Sequence, residues 1–257
     1  MTAASTSAVA SFDPHASSYD AVAESAIGRE FRRRVHAVLE PLIGAETTLL
    51  DLGCGTGIDL AWASERVATA HGVDPSAEMV ALAAQQCASA ANVTVEVSPG
   101  ETVQLDEPVD MLVSNFGAIN CMGPLDALGA QISNLVRPDG RAVLVTMPHR
   151  CPWELLLAAA RRDRALWNRR GGEGADPSHP GLTIRYANAN DLSDALPAFE
   201  LEHCESLGLA LPTFEQRHWF EDRGRLLRIG AAADRGLAAL GGRLGWGDHL
   251  ITVWRRR

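Results

Sequence analysis

The spacing of hydrophobic residues over the first 147 positions alternates between a strand pattern and a helix pattern. Short aliphatic and β-branched runs predict five strands, at 48–52, 68–73, 93–97, 109–113 and 141–147. Apolar residues three or four positions apart predict helices before and between them, at 21–42, 58–66, 75–83 and 125–136. Strands that alternate with helices are typical of an α/β fold with a parallel sheet and right-handed crossovers.

The pattern changes after Pro148. It predicts one long helix at 153–167, followed by a loop at 170–180 that is rich in Gly, Asp, Pro and His. We expect this helix and loop to form a roof over a pocket. Two further strands are predicted at 199–207 and 249–255, with a helix near 223–240 between them.

A glycine-rich loop follows the first predicted strand, in the segment Leu-Leu-Asp-Leu-Gly-Cys-Gly-Thr-Gly-Ile at 49–58. Glycines let the backbone turn sharply and let a ligand approach it closely. About twenty residues later, Asp74 ends the second strand, where the ribose of a nucleoside cofactor lies in folds of this class. The spacing differs from the pyrophosphate-binding G-x-G-x-x-G motif, and the Asp51 carboxylate would repel a pyrophosphate but attract an ammonium group. A flexible glycine turn, the simpler interpretation, does not explain Asp51 and Asp74 together.

This segment resembles the first motif of the class I S-adenosylmethionine-dependent methyltransferases, in particular those that act on small molecules. The resemblance covers about residues 11–146 with specific motifs, and the remainder by strand order only. It implies S-adenosyl-L-methionine as cofactor. It also implies a Rossmann-like α/β fold, in which a seven-stranded, mostly parallel sheet with an antiparallel last strand carries helices on both faces and a helical cap.

The same resemblance suggests one methyltransferase domain over residues 1–257. Its expected parts are a disordered tail at 1–11, an N-terminal lid and helix at 12–44, a cofactor-binding core at 45–147, a cap and substrate segment at 148–198, and C-terminal strands and a helix at 199–257. Tyr19 lies in a segment that folds over the cofactor in many relatives, so we expect it to close the site. A terminal segment without such a role is the alternative.

The family implies a role for each motif residue that binds the cofactor. The methionine end is held by the first motif, at Asp51, Gly53 and Gly55. The ribose hydroxyls bind Asp74, a two-acceptor group. The adenine contacts come from Pro75, Met79, Gly100 and Glu101. Pro99 stands where an Asp is common in the family, so an adenine contact from Gly100 or Glu101 would have to replace it. Asp74 could alternatively cap the following helix, and Met79 could belong to the core.

Two residues are candidates for catalysis because they follow strands at the carboxyl edge of the sheet, where ligands bind. Asn115 follows the fourth strand, in a loop at 114–120 that lies beside the transferable methyl group in relatives. His149 follows the fifth strand, and an imidazole there could take a proton from an acceptor hydroxyl. Asn115 and Asn120 could instead satisfy loop backbone, and His149 could be an ordinary hydrogen-bonded loop residue.

Composition and charge narrow the class of partners. A formal net charge of -9 offers no broad basic surface to nucleic acid, and no apolar run reaches membrane-spanning length. The cluster Arg32-Arg33-Arg34 falls in an amphipathic helix pattern, and we expect it on a solvated helix face. Five cysteines without metal-ligand spacing favour free thiols in the cytoplasm and no metal site.

Together these observations predict methyl transfer from S-adenosylmethionine to a small molecule, in specialised (natural-product) metabolism. Two alternatives stay open: a methyltransferase that acts on tRNA or protein, and an S-adenosylmethionine-binding protein without catalysis. The loop at 114–120 is not of the Asn-Pro-Pro-Tyr type found in enzymes that methylate nucleobases and amides. The acceptor, the methylated atom and the oligomeric state are left open by the sequence.

Overall fold

The computed structural model describes residues 21–171, 173–175, 183–221 and 223–257. The helices in these ranges are α1 (Ala26–Leu39), α2 (Ile58–Ser64), α3 (Ala77–Gln86), α4 (Leu125–Leu135), α5 (Pro152–Arg161), α6 (Arg164–Asn168), α7 (Ala189–Ala195) and α8 (Gly224–Leu244). The strands are β1 (Thr48–Leu52), β2 (Thr69–Asp74), β3 (Val93–Val97), β4 (Val109–Ser114), β5 (Val136–Thr146), β6 (Glu173–Ala175), β7 (Thr183–Arg185), β8 (Phe199–Leu207) and β9 (His249–Arg256). Short 3₁₀ helices occupy Glu40–Leu42, Ile119–Cys121 and Phe214–Trp219.

Seven of these strands form one sheet in the order β3-β2-β1-β4-β5-β9-β8. The pairs β1–β2, β2–β3, β1–β4 and β4–β5 are parallel. Strand β9 runs antiparallel to both β5 and β8. The predicted fold class is therefore confirmed, including the antiparallel last strand.

Alternate side chains of the central strands enter two separate cores, one on each face of the sheet. Leu49 and Met111 pack on the face covered by α1, α2, α3 and α8. Leu50 and Leu112 pack on the opposite face, against α4 and α7. Because neighbouring residues of a strand point to opposite faces, the consecutive apolar residues of β1 and β4 are typical of a sheet buried on both sides.

Strand order places a ligand crevice at the carboxyl ends of β1 and β4. The chain moves outward from β1 to β2 and β3, and then returns to the other side of β1 to form β4 and β5. The loops after β1 and β4 diverge at this switch in direction, which is where open α/β sheets bind their ligands. Because β9 is antiparallel, its first residue, His249, also lies at this edge.

Two predictions for the segment after Pro148 are wrong, and one helix in it was not predicted. The single helix predicted at 153–167 is two helices, because Arg162 adopts a left-handed conformation with φ of +54° and Asp163 then caps α6. The predicted loop at 170–180 contains β6, which pairs with β7 in a hairpin. Helix α7, which begins after the capping box of Asn188, was not predicted. In addition, β5 begins five residues before the predicted strand, with an irregular pairing between Val109 and Met111 of β4.

The expectation of a solvated face for the arginine cluster at 32–34 of α1 is wrong for two of these three residues. The Arg33 side chain is 55% exposed, but that of Arg34 is only 5% exposed and donates to Oδ2 of Asp234 over 2.6 Å. Arg34 also donates to Oε1 of Glu205 over 2.6 Å, so it joins α1 to α8 and β8. Arg32 turns toward the crevice, as described below.

All five cysteines lie in the described ranges and are free thiols. In the part of the chain that the structure describes, no helix is both long and apolar enough to cross a membrane. Residues 1–20 lie outside the described ranges, and with them the predicted tail, most of the lid and Tyr19.

Candidate active site

The glycine-rich loop after β1 has left-handed backbone conformations, which favour glycine. Gly53 and Gly57 both have a φ of +82°, and Gly55 has a φ of +53°. A Cβ atom on Gly53 would lie 2.6 Å from Cβ of Ala118, and one on Gly57 would lie 2.9 Å from Ala83. The loop can therefore take this path only with glycine at these positions.

Asp74 at the end of β2 holds the loop in place. Its Oδ2 accepts the backbone N–H of Gly55 over 3.0 Å, and its Oδ1 accepts the N–H of Ser76 over 2.9 Å. The cap of α3 is a different group, the Ser76 hydroxyl, which accepts the N–H of Met79 over 3.2 Å. Each carboxylate oxygen can accept more than one hydrogen bond, and the binding of the ribose hydroxyls by Asp74 stays a prediction.

A pocket opens between this loop, α1 and the loop after β4. Its lining consists of Arg32, Asp51, Gly53, Cys54, Gly55, Thr56, Ile58, Asp59, Asn115 and Phe116. The sequence predicted four of these residues, Asp51, Gly53, Gly55 and Asn115, as site residues, and the structure brings all four together.

Asp51 offers a buried acceptor to this pocket. Its side chain is almost completely buried, and its Oδ1 has no hydrogen-bond partner among the described residues. Burial raises the pKa of this carboxyl well above its ordinary value, and the negative charges of Asp59 and Asp74 raise it further against the opposing charge of Arg32. A cation that enters beside Oδ1 would stabilise the charged carboxylate.

The pKa of Asp59, in the first turn of α2, is shifted in the opposite direction to that of Asp51. Its Oδ2 lies 2.5 Å from Nη1 of Arg32 and its Oδ1 lies 2.7 Å from Nε2 of His36. Burial alone would raise its pKa, but the charges of Arg32 and His36 and their hydrogen bonds hold that pKa well below the ordinary range. This cluster was not predicted from the sequence. The available signal was the four-residue spacing of Arg32 and His36, which places both on one face of α1.

Asn115 completes the polar lining. Its Nδ2 donates to Oδ2 of Asp59 over 2.9 Å, while its Oδ1 is buried without a hydrogen-bond partner among the described residues. The guanidinium of Arg32 lies 5.0 Å above the ring of the next residue, Phe116. The neighbouring Asn120 behaves differently, because its amide bonds with both the N–H and the carbonyl of Met147. Asn120 therefore satisfies loop backbone, and Asn115 does not.

These residues fit the methionine end of S-adenosylmethionine. That end is a zwitterion, with an α-ammonium and an α-carboxylate group. An α-ammonium group supplies N–H donors. Oδ1 of Asp51 and Oδ1 of Asn115 belong to side chains that line the pocket, and neither has a hydrogen-bond partner within the part of the chain that the structure describes. An α-carboxylate needs a cation, and Arg32 lines the same pocket. A pyrophosphate would meet two carboxylates, Asp51 and Asp59, at close range.

The residues predicted to contact adenine lie along the same edge. Met79 is 3% exposed and Pro75 is partly buried. Gly100 is buried, and a Cβ atom on it would lie 3.0 Å from Leu52. Glu101 is exposed, and its Oε1 accepts the N–H of Gly123 over 3.0 Å. Their roles toward adenine stay predictions.

His149 lies at the start of the predicted cap segment, and an oxygen atom lies near each of its ring nitrogens. Its Nε2 lies 3.0 Å from Oδ2 of Asp191 in the capping box of α7, and its Nδ1 lies 3.3 Å from the carbonyl oxygen of Arg170. The side chain is 37% exposed, so solvent can reach it. Its catalytic role stays a prediction.

A second imidazole at the same edge was missed. His249, the first residue of β9, is 3% exposed and packs 5.8 Å from the ring of Phe116 and 6.0 Å from that of Phe214, measured between centroids. Its Nδ1 lies 3.3 Å from Oδ2 of Asp248. The antiparallel direction predicted for β9 was the signal that places this histidine at the carboxyl edge.

Comparisons with known proteins agree with this geometry. Residues 49–140 match a family model described as a methyltransferase domain. The nocamycin O-methyltransferase of Saccharothrix syringae is 34% identical over 136 residues, which are 51% of this chain and 47% of that protein. The chain thus matches about half the length of this curated relative.

Solved structures extend the likeness to nearly the whole chain. An S-adenosylmethionine-dependent methyltransferase from Mesorhizobium loti has a TM-score of 0.58 at 20% identity, covering 91% of this chain and all of that one. A putative methyltransferase of Haloferax volcanii, solved in complex with the Trm112 methyltransferase activator, has a TM-score of 0.63 at 16% identity, covering 97% of each chain. The chain therefore has the Rossmann-like fold of the class I methyltransferases, and its residues 49–140 match the methyltransferase-domain family.

Proposed function

We propose that this protein transfers a methyl group from S-adenosyl-L-methionine to a small-molecule acceptor. The observation that carries the proposal is the pair of buried oxygens, Oδ1 of Asp51 and Oδ1 of Asn115. They have no hydrogen-bond partner in the described ranges, and their side chains line the pocket together with Arg32. This arrangement suits a zwitterionic amino-acid group next to a glycine-rich loop. Asp74, at the end of β2, lies where the ribose of such a cofactor is bound in this fold.

The protein's contribution to this reaction is positioning. S-adenosylmethionine, when bound, supplies an electrophilic methyl group on a sulfonium, whose sulfur leaves as a neutral thioether. Asp51, Asn115 and Arg32 would hold the amino-acid end, and Asp74 the ribose. Alignment of the acceptor atom with the methyl carbon then accounts for most of the rate enhancement.

An acceptor hydroxyl would also have to lose a proton, and we propose His149 for this step. Asp191 contacts its Nε2 and can orient the ring, as the acidic member of a catalytic triad does. The contact of Nδ1 with the Arg170 carbonyl is long, at 3.3 Å, so an acceptor hydroxyl could replace it at little cost. We propose Asn115 as the second residue beside the reacting groups.

The acceptor is proposed to be a small molecule of specialised metabolism, and oxygen the methylated atom. Support comes from the 34% identity to a nocamycin O-methyltransferase. The net charge of -9 does not favour a nucleic-acid acceptor. The aromatic rings of Phe116 and Phe214, 6.1 Å apart at the edge of the pocket, would suit an apolar acceptor.

The test is transfer of a labelled methyl group to a panel of acceptors. Phenols, enolic natural-product scaffolds, bulk tRNA and a protein extract would be incubated with methyl-labelled S-adenosylmethionine, and each product identified by mass spectrometry. The proposal expects label in a hydroxyl-bearing small molecule. Label only in tRNA or protein would support the macromolecular alternative, and tight cofactor binding without any transfer would support a non-catalytic binding protein.

A further inference from the structure

Asp59 lies where α1, α2 and the loop after β4 meet at the pocket. One of its carboxylate oxygens, Oδ2, contacts both Nη1 of Arg32 at 2.5 Å and Nδ2 of Asn115 at 2.9 Å. The other, Oδ1, contacts Nε2 of His36 at 2.7 Å. A single carboxylate thus holds the two side chains that flank the predicted amino-acid end of the cofactor.

The contact with Asn115 fixes which end of its amide faces the pocket. A side-chain amide has one donor end and one acceptor end. Because the Nδ2 end donates to Asp59, the Oδ1 end points the other way, where it is buried without a hydrogen-bond partner among the described residues. Asp59 therefore makes Asn115 an acceptor toward the pocket.

The contact with Arg32 fixes the position of a cation. Arg32 belongs to α1, which precedes the sheet, and its side chain is only 12% exposed. The ion pair with Asp59 and the stacking over Phe116 hold the guanidinium against the pocket wall. The guanidinium has five N–H donors in a planar fork, a geometry that matches carboxylates.

We propose that Asp59 is a positioning residue that makes the pocket specific for a zwitterionic amino-acid group. Through one carboxylate it presents an acceptor oxygen, that of Asn115, to an ammonium group, and a cation, Arg32, to a carboxylate. This inference rests on the proposed function, because it names how that site recognises one end of S-adenosylmethionine. It assigns Asp59 no contact with the methyl group.

A purely local role for Asp59 makes a different prediction. An acid in the first turn of a helix stabilises the helix through its dipole, whatever lies in the pocket. Asp126 has the same position in α4 and is exposed. Asp126→Ala is therefore a matched control for the helix effect.

The experiment measures the binding of two ligands by calorimetry, to the full chain and to Asp59→Ala, Asp59→Asn and Asp126→Ala. S-adenosylhomocysteine carries the amino-acid group, and 5′-methylthioadenosine lacks it but keeps the adenosine. We expect Asp59→Ala to bind S-adenosylhomocysteine at least tenfold more weakly, with the affinity for 5′-methylthioadenosine changed less than twofold. Asp126→Ala should bind both ligands as the wild type does.

Asp59→Asn and Asn115→Ala keep the test decisive if Asp59→Ala does not fold. Asp59→Asn retains the shape but loses the charge that holds Arg32, and we expect a smaller loss that is again confined to S-adenosylhomocysteine. Asn115→Ala should show the same selectivity. In the double variant of Asp59 and Asn115, the loss should be smaller than the sum of the two single losses in free energy.

Each other outcome overturns the inference. Equal weakening of both ligands would make Asp59 a residue of the general structure. Unchanged affinity for S-adenosylhomocysteine in the folded variants would remove it from recognition. A wild-type protein that binds neither ligand would instead refute the proposed function, and this inference with it.

Discussion

The backbone N–H of Gly55 donates to Oδ2 of Asp74 over 3.0 Å, and this bond joins the glycine-rich loop to the end of β2. The same carboxylate is our candidate for the ribose hydroxyls. Asp74→Ala should therefore weaken the binding of S-adenosylhomocysteine at least tenfold, since hydrogen bonds to a charged group contribute on the order of 1.5–3 kcal/mol each. Because S-adenosylhomocysteine and 5′-methylthioadenosine both contain the ribose, the binding of 5′-methylthioadenosine should be weakened as well. Calorimetry measures both affinities.

Asp106→Ala, at an exposed position between β3 and β4, is the control for Asp74→Ala and should change neither affinity. If Asp74→Ala lowers the melting temperature and leaves both dissociation constants unchanged, Asp74 serves only the loop and the start of α3.

Cofactor binding should release a proton from Asp51. Burial raises the pKa of this carboxyl above its ordinary value of 3.8. In the free protein a fraction of the Asp51 side chains therefore stays protonated at pH values above that ordinary pKa. An ammonium group beside Oδ1 favours the charged form, so affinity for S-adenosylhomocysteine should fall as the pH falls through the raised pKa. Titrations at pH 5–7.5 in buffers of different ionisation enthalpy would measure the released proton.

Asp51→Asn is the control for this linkage, because an amide cannot release the proton. We expect the variant to bind more weakly at neutral pH with a smaller dependence on buffer. Wild-type heats that are identical in all buffers, with an affinity independent of pH, would be inconsistent with a role for Asp51 beside the ammonium group.

The buried pair of Arg34 and Asp234 should dominate the docking of α1. Asp234 is completely buried and also accepts the N–H groups of Gly208, Ala210 and Leu211. Asp234→Ala removes the acceptor of these three N–H groups and one of the two carboxylates that pair with Arg34. We therefore expect a loss of about 3–5 kcal/mol in the free energy of unfolding. Urea denaturation measures it.

The exposed pair of Arg33 and Glu30 provides the comparison. Arg33→Ala should cost no more than about 1 kcal/mol, because solvent screens a pair at the surface. Equal losses for Asp234→Ala and Arg33→Ala would show that the buried pair has no special part in holding α1.

His149→Ala should lower the maximal rate with a hydroxyl acceptor roughly 100-fold, the size of general-base catalysis, without changing cofactor affinity. The loss should shrink at high pH, where hydroxide competes as the base. His203→Ala, at an exposed position of β8, is the control and should leave turnover unchanged. Near-normal turnover of His149→Ala with a lower melting temperature would limit His149 to its contact with Asp191, and would leave His249 as the imidazole to test.

The sequence predicted what local pattern determines. The apolar runs of β1 and β4 and the glycines at 53 and 55 carry their own geometry, because steric limits on the backbone act within a few residues. The expected role of Asp51 followed from its charge and from the resemblance to a family, and it stays a prediction. The seven-stranded sheet and the antiparallel direction of its last strand came from the resemblance.

What the sequence did not predict depends on contacts between distant segments. Asp59 and Arg32 are 27 positions apart and meet only because α1 packs beside α2, so neither pattern nor charge identified the pair. The same holds for Asp191 beside His149. The break at Arg162 was missed because a single left-handed residue hardly disturbs the helical spacing of apolar side chains.

The central claim is that this pocket binds S-adenosylmethionine and not a dinucleotide. Calorimetric titration of the full chain with S-adenosylhomocysteine and, separately, with NAD tests it most directly. We predict a dissociation constant in the micromolar range for S-adenosylhomocysteine and no measurable heat with NAD, because Asp51 and Asp59 line the pocket. Tight binding of NAD, with no heat from S-adenosylhomocysteine, would contradict the account.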